Sequence, residues 1–350
     1  MTARLLALVL ALAACDAPAP RADAPAPEST QAVADTAGPA PSAPAAETID
    51  SLAAIVASSG GSVGIVAVHV ETGRRVEHLP AEAFPMASTY KLPIVLAVLA
   101  QVDSGRISLD DSVDVMPSDF RLAPSQIADS VGAAGGKATV GAMIRSVMIY
   151  SDNASGDRLM KLAGGPEAVT AHVRSRGIED MRIDRYEGEV HWQYNGVKDV
   201  PPPDQWTVAE FNRRIAAVPA AEKEAARARF WDDPRDTSTP AAFAALLVQV
   251  QRREGLSATS QRVLLDAMER SPTGRGRIGA LLPAGTTVAD KTGTIGRTTN
   301  DVGIITLPDG SHVVLAVMVK MSTRTTEDEE RTIARVARAV YAHFARQAKS

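Results

Sequence analysis

The sequence predicts an α/β domain of the α+β kind. An antiparallel sheet flanked by terminal helices carries an inserted all-helical subdomain, with the active site expected in the cleft between the two lobes. Three observations predict it. β-branched apolar runs cluster towards the two ends of the chain, at 62–70 and again within 286–319. The long middle, from about 88 to 270, carries mainly helical periodicity. Helical patterns bracket the whole, at 49–58 and 326–348.

Taken in order, residues 49–58 read as a short helix. Ser62-Val-Gly-Ile-Val-Ala-Val-His-Val70 is β-branched and apolar, and Glu-Thr-Gly-Arg-Arg separates it from Val76-Glu-His-Leu79, a hairpin signal. Helical patterns follow at 92–102, 140–148, 154–162 and 241–253. After Pro283 the character switches. Residues 286–291, 300–307 and 312–319 read as strands, and Leu307-Pro-Asp-Gly-Ser311 supplies the turn between the last two. A final amphipathic helix covers 326–348. Strands from both ends of the domain can close one sheet, so the block between them, about 88–280, becomes the inserted subdomain. No internal repeat is visible.

Composition narrows the function. The chain has 350 residues, 37 Lys+Arg against 41 Asp+Glu, and a formal net charge of −4. A nucleic-acid binder normally carries a basic excess, so no nucleic-acid partner is expected. Hydrophobic residues make up 45% and charged residues 22%, the balance of a globular protein able to bury a core. The single cysteine, Cys15, forbids an intramolecular disulfide. The six histidines are scattered without metal-ligand spacing, so neither a Cys/His metal site nor a cofactor is expected.

The N-terminal region reads as targeting rather than fold. Residues 1–14 have the pattern of a signal peptide: Arg4, then an apolar stretch from Leu5 to Ala14. Ten helical residues span about 15 Å, half a bilayer core. The stretch ends in Leu12-Ala13-Ala14-Cys15, which resembles the lipobox of bacterial lipoproteins, whose cysteine is lipidated. Residues 15–46 then form a spacer of Ala, Pro, Ser and Thr, too poor in large apolar side chains to offset ordering entropy. The expectation is a lipoprotein anchored through Cys15 on the periplasmic side of the envelope, with its catalytic domain at 47–348.

Three short motifs can carry chemistry. Ser88-Thr-Tyr-Lys91 opens the helix at 92–102, where unpaired N–H groups and the helix dipole favour negative charge. A serine needs a base to become nucleophilic, and a crowded amine with a depressed pKa can act as one. Ser151-Asp-Asn153 sits at another helix start, and Lys291-Thr292-Gly293-Thr294 at the end of a strand. Each alone is an ordinary cap, turn or strand end. Together and in this order they resemble the signature of serine β-lactamases and penicillin-binding proteins. The resemblance covers most of the globular part. Asp184-Arg-Tyr-Glu187, Asp233-Pro-Arg-Asp-Thr-Ser-Thr-Pro240 and Thr299-Asn-Asp-Val-Gly-Ile304 are similar to class A β-lactamases, and the run from Thr298 to Asp301 to their extended-spectrum branch.

That resemblance implies roles. Ser88 would attack the lactam carbonyl and become acylated, with Lys91 taking part in proton removal. The backbone N–H groups of Ser88 and Thr294 would form an oxyanion hole, worth roughly 3–4 kcal/mol per donor. Ser151 would relay a proton to the departing nitrogen, and Asn153 would hydrogen-bond the substrate's side-chain amide. Lys291, Thr292, Gly293 and Thr294 would face the substrate carboxylate. Where many members place an arginine after that strand this chain has Thr299, and Arg277 matches the alternative that some members use.

Glu187 decides the reaction class, because turnover needs a base that activates water against the ester. It would begin an Ω-shaped loop closed at its neck by Arg185 and Asp236. The family's usual proline and asparagine are replaced here by Gly188 and His191, and an imidazole can also hold a water. Glu189 lies two residues on as another register for the base. The loop carries an insert at about 191–232, beginning His191-Trp-Gln-Tyr194 and containing a helical pattern at 208–230. This insert is either a lining of the cleft or, as we favour, a surface excursion with its own small apolar contact. The resemblance thus implies a β-lactamase acting on β-lactam small molecules, monomeric like most of its relatives. A penicillin-binding D,D-peptidase shares the three motifs but lacks Glu187 and the loop neck. A non-hydrolytic β-lactam-binding envelope lipoprotein would not need Ser88, Lys91, Ser151 and Lys291 intact.

Overall fold

The computed structural model describes residues 46–121 and 125–347. The expected signal peptide, Cys15 and nearly all of the spacer lie outside the described residues, as does residue 348 at the end of the last helix. In chain order, α1 (Ala46–Ala57) leads into β1 (Ser62–His69), β2 (Arg75–His78) and a short β3 (Phe84–Pro85). A 3₁₀ turn, Ala87–Tyr90, runs into α2 (Lys91–Asp103). The block continues through β4 (Ser112–Val115), α3 (Gln126–Val131), β5 (Gly136–Thr139), α4 (Val140–Tyr150), α5 (Asn153–Ala163) and α6 (Pro166–Ser175). Then come α7 (Glu187–Tyr194), α8 (Val208–Ala217), α9 (Ala220–Phe230), β6 (Thr237–Ser238), α10 (Pro240–Gln251) and α11 (Ala258–Glu269). The described chain ends with β7 (Val288–Ile295), β8 (Thr298–Thr306), β9 (His312–Lys320) and α12 (Thr326–Gln347).

The early and late strands form one antiparallel sheet in the order β2-β1-β9-β8-β7. Its centre is β9, which pairs Val317 with Ile65 on one side and with Asp301 on the other. Both faces are buried, so the period-2 alternation sorts apolar residues between two cores rather than between core and water. Val313, Leu315, Val317 and Val319 of β9 pack with Leu52 and Ile55 of α1 and Ile333, Val336 and Val340 of α12. Val314, Ala316 and Met318 of the same strand face the helical block.

Within that block α2 is the axial element. Residues 91 to 99 are all buried, as expected of a helix apolar on every side. Pro93 falls in its first turn, where no intrahelical N–H bond is lost. The block is helical apart from two short ladders, β4–β5 and β3–β6. The second matters for the site, because it ties the strand before Ser88 to the segment closing the Ω-like loop.

Two local expectations need correction. The helical pattern at 208–230 is two helices, α8 and α9. Val218 takes an extended conformation and Pro219 caps the second helix, because proline pushes its predecessor out of the α region. The strand expected at 286–291 runs instead to Ile295, so Lys291-Thr292-Gly293-Thr294 lies inside β7 and pairs along β8, with Lys291 opposite Val302 and Thr294 opposite Thr299.

Candidate active site

Ser88 is presented by a strained turn. Ala87 has φ 47°, in the left-handed region that costs a residue with a Cβ roughly 1–2 kcal/mol. The turn is pinned from three sides. Met86 N–H donates to Asp236 O at 3.0 Å. The Thr89 hydroxyl donates to Met86 O at 2.6 Å. The Asn300 amide of β8 donates to Pro85 O and Met86 O at 2.8 and 3.0 Å. Lys91 lies one turn further on and is fully buried. Its Nζ donates to Ser88 Oγ at 3.0 Å and to Ser151 O at 2.8 Å, and it also donates to Asn153 Oδ1. Gly156 leaves the room for this, since a Cβ there would come within 3.1 Å of Lys91 Cε.

Ser151 and Asn153 come from the joint between α4 and α5. Ser151 sits at φ 60° at the end of α4, and Asp152 caps α5 by accepting from Ser155 N–H at 2.9 Å. The other Asp152 oxygen accepts from Ser125 Oγ, Ile127 N and Ser146 Oγ at 2.8–3.1 Å. Four donors thus lock the turn, and the aspartate in the middle of the motif is its scaffold. Ser151 Oγ accepts from Lys291 Nζ at 3.0 Å and from Lys91 Nζ at 3.4 Å. With two ammonium groups donating to it, this hydroxyl has its own proton free for a ligand.

β7 closes the opposite wall. A Cβ on Gly293 would lie 2.7 Å from Met86 O and 2.9 Å from Ser88 N, so only glycine lets the strand lie against the serine turn. Thr292 donates through its hydroxyl to Thr273 Oγ1 at 2.7 Å. Arg277 stands behind the strand. Its Nη2 donates to Thr294 Oγ1 at 2.6 Å, its Nη1 to Gly293 O and Asn300 O, and its Nε to Glu330 Oε1. The guanidinium therefore reaches the cleft through Thr294, while the Thr299 hydroxyl is taken up by Glu329.

The Ω-like loop supplies the carboxylate. Its neck is the expected pair: Arg185 Nε donates to Asp236 Oδ2 at 2.6 Å, and Asp236 Oδ1 accepts from the N–H groups of Asp184 and Arg185. α7 then starts at Glu187. Asp157, fully buried on α5, accepts from Glu187 N at 2.6 Å and Gly188 N at 3.2 Å, and is paired with Arg121. Glu187 Oε2 lies 4.0 Å from Lys91 Nζ, and Oε1 is 3.0 Å from His191 Nε2. Glu189 accepts from Tyr186 N–H at the start of α7, so the register of the buried carboxylate belongs to Glu187. A small cavity of about 30 Å³ gathers Ser88, Tyr90, Glu187, His191, Phe230 and Thr294 around one space.

Burial dominates the electrostatics. It pulls Lys91 below the usual lysine value, against the opposing charges of Glu187, Asp152 and Asp157. Burial, then the charge of Lys91, hold Lys291 well below it. Burial pushes Glu187 up, but the Lys91 charge and the His191 contact outweigh it, leaving this carboxyl below the ordinary carboxylate range. A hydroxyl, two easily deprotonated amines and an ionised carboxylate share one water-poor space, which suits stepwise acyl transfer.

Every residue singled out by sequence lies at this cleft or directly behind it, except Cys15, outside the described residues. Asn300, Asp157 and Arg121 were missed as positioning residues. For Asn300 the available signal was a polar amide within a strand pattern, and for Asp157 an acid on the apolar stripe of an amphipathic helix. The insert answers to both descriptions offered for it. Trp192, Val197, Trp206 and Phe211 form its own small core, while Val190, His191 and Phe230 line the cavity around Ser88.

Comparison with known proteins places this geometry. Residues 46–344 match the sequence profile described as the beta-lactamase enzyme family. The chain is 32% identical to the extended-spectrum beta-lactamase PER-1 of Pseudomonas aeruginosa, over 75% of this chain and 76% of that protein. It is 30% identical to beta-lactamase CTX-M-25 of Escherichia coli, over 83% and 86%. Among solved structures, the TLA-1 extended-spectrum beta-lactamase superposes with a TM-score of 0.72 at 26% identity, covering 85% of this chain and 98% of that one.

Proposed function

The chain belongs to the beta-lactamase enzyme family, as a class A serine hydrolase of β-lactams, and from that premise we propose how its own residues open and release the ring. Ser88 Oγ bonds to the lactam carbonyl carbon while its proton passes to Lys91 Nζ, 3.0 Å away and acting in its neutral form. The oxygen that becomes negative is held by the N–H groups of Ser88 and Thr294. As the carbonyl carbon–nitrogen bond breaks, Ser151 passes a proton to the nitrogen, and Lys91 and Lys291, both donating to Ser151 Oγ, restore it. Asn153 holds the side-chain amide, and Lys291, Thr292 and Thr294, with Arg277 behind them, face the carboxylate of the substrate.

The ester is then cleared by water. Glu187 takes a proton from it, the oxygen attacks the ester carbon, and Ser88 leaves with a proton returned to Oγ. The product carries one carboxylate more than the substrate. The observation that carries this reading is the convergence of Ser88, Glu187 and Thr294 on one cavity, with Lys91 bridging Ser88 and Glu187 at 3.0 and 4.0 Å. We further propose that the enzyme acts on the periplasmic side, anchored through a lipidated Cys15.

The test combines a chromogenic cephalosporin with intact-protein mass. The wild type should turn over without accumulating adduct, and Ser88→Ala should show neither colour nor adduct. Glu187→Gln should still acylate but lose about 10²–10⁴-fold in turnover and retain the acyl mass. A persistent adduct in the wild type points instead to a penicillin-binding peptidase. Unchanged turnover in Glu187→Gln removes this residue from the role of base.

A further inference from the structure

The insert opens a second cavity on its far side. Between α7 and α9 lies a groove of about 320 Å³. Tyr194, Val197 and Phe230 supply apolar walls, and Lys198, Arg229 and Arg235 bring positive charge to it. Arg185 forms part of the lining although it is only 4% exposed. Its Nε and Nη1 are occupied by Asp236, Gln193 and Asp233 at 2.6, 2.8 and 3.1 Å. Its Nη2 is equally buried and has no partner among the described residues.

The charges do not cancel within the groove. Asp233 is the only acid of the lining, and Arg185 and Arg235 already claim it, the latter at 2.7 Å. Lys198 pairs outwards with Glu222 at 3.2 Å. The Arg229 side chain, exposed on α9, has no ion-pair or hydrogen-bond partner among the described residues. A buried guanidinium N–H without an acceptor is unfavourable, and a carboxylate or phosphate is the acceptor guanidinium groups hold best. Phe230 is the shared wall: it lines this groove and also the cavity around Ser88, which keeps the two spaces distinct.

We propose that this groove is a second binding site, for a small organic anion. Its carboxylate or phosphate group lies between Arg229 and Arg185, and its apolar part against Tyr194 and Phe230. The site is independent of the hydrolytic reading, since none of its cations touches Ser88.

The chain's three tryptophans, Trp192, Trp206 and Trp231, all belong to the insert, so intrinsic fluorescence reports on this region. Phenyl phosphate titrated into the purified full chain at constant ionic strength should give a saturable change, and phenol should not. Arg229→Glu should weaken the response by about tenfold or more, and Arg229→Lys should retain most of it. Both variants alter an exposed side chain, so unchanged melting temperatures will confirm that they fold. Arg229 does not line the Ser88 cavity, so binding at the ammonium groups there would survive Arg229→Glu. Four results overturn the proposal: no saturable response at millimolar concentrations, an equal response to phenol, binding unaffected by Arg229→Glu, or inorganic phosphate binding as tightly as phenyl phosphate.

Discussion

Lys91 and Glu187 set each other's protonation across 4.0 Å. Because the Glu187 carboxyl lies below its ordinary value of 4.5, it stays ionised as a base well into acid. As pH falls it is lost only below that value, so the acid limb of kcat should lie below pH 4.5. Lys291 is drawn well below 10.5, so rising pH removes early the charge that faces the substrate carboxylate, and the alkaline limb of kcat/KM should fall below 10.5. An acid limb inside or above the ordinary carboxylate range would assign the base elsewhere. Asn300 makes a second prediction at this scale. Its side chain satisfies Pro85 O, Met86 O and Val319 N–H, all buried with it. Asn300→Ala takes this partner from Pro85 O and Val319 N–H, while Met86 O keeps the Thr89 hydroxyl, and should cost about 2–4 kcal/mol in urea unfolding. A loss under about 0.5 kcal/mol would mean that water or a backbone shift replaces the amide. Neither effect is legible in the sequence, where Asn300 is one polar residue in a strand pattern. Its importance comes from a carbonyl pair more than two hundred residues earlier.

At the scale of elements, the site is a meeting of ends: the start of α2, the joint of α4 and α5, the start of α7 and the outer strand β7. The start of α2 and the joint of α4 and α5 were readable because their capping chemistry is local, whereas the start of α7 and the full reach of β7 were not. Asp152 caps α5, and the Ser88 turn precedes an unmistakably apolar helix. How closely the elements approach was not readable. Gly293 decides one such approach. Gly293→Ala puts a methyl group within 2.7 Å of Met86 O and 2.9 Å of Ser88 N, so β7 and the serine turn must separate. A displacement of that kind should slow acylation about 10²-fold and lower stability by about 1–3 kcal/mol. Stopped-flow acylation rates check it, and a rate within twofold of wild type would show that the strand yields without consequence. The insert makes the complementary case. Pro219 divides α8 from α9, a local rule that the helical pattern of 208–230 masked. That its aromatic residues form a core of their own and also line the cavity around Ser88 follows from where α7 is anchored, by Asp157 and by the Arg185–Asp236 pair.

Across the whole molecule, one sheet joins the two ends of the chain and buries both faces. The groups that meet at the cleft are therefore brought together by one shared frame, although they come from positions 88 to 294. Beyond the described residues, the anchor makes the prediction that belongs to the molecule as a whole. Cys15→Ala should move the protein from the membrane fraction to the soluble periplasmic extract with hydrolysis unchanged, and continued membrane retention would defeat the lipobox reading. The sequence by itself determined the fold class and the order of the main strands and helices, and it singled out the polar groups that meet at the cleft. Helix periods, strand alternation, caps and short motifs are all set by neighbours within a few residues, and a reader of neighbours recovers them. Only the tertiary structure decided that Arg277 reaches the cleft through Thr294, that Asn300 and Asp157 hold the turn and the loop, and that Nη2 of Arg185 is buried without a partner among the described residues. Those facts depend on distances between distant segments, which packing sets and no local pattern encodes.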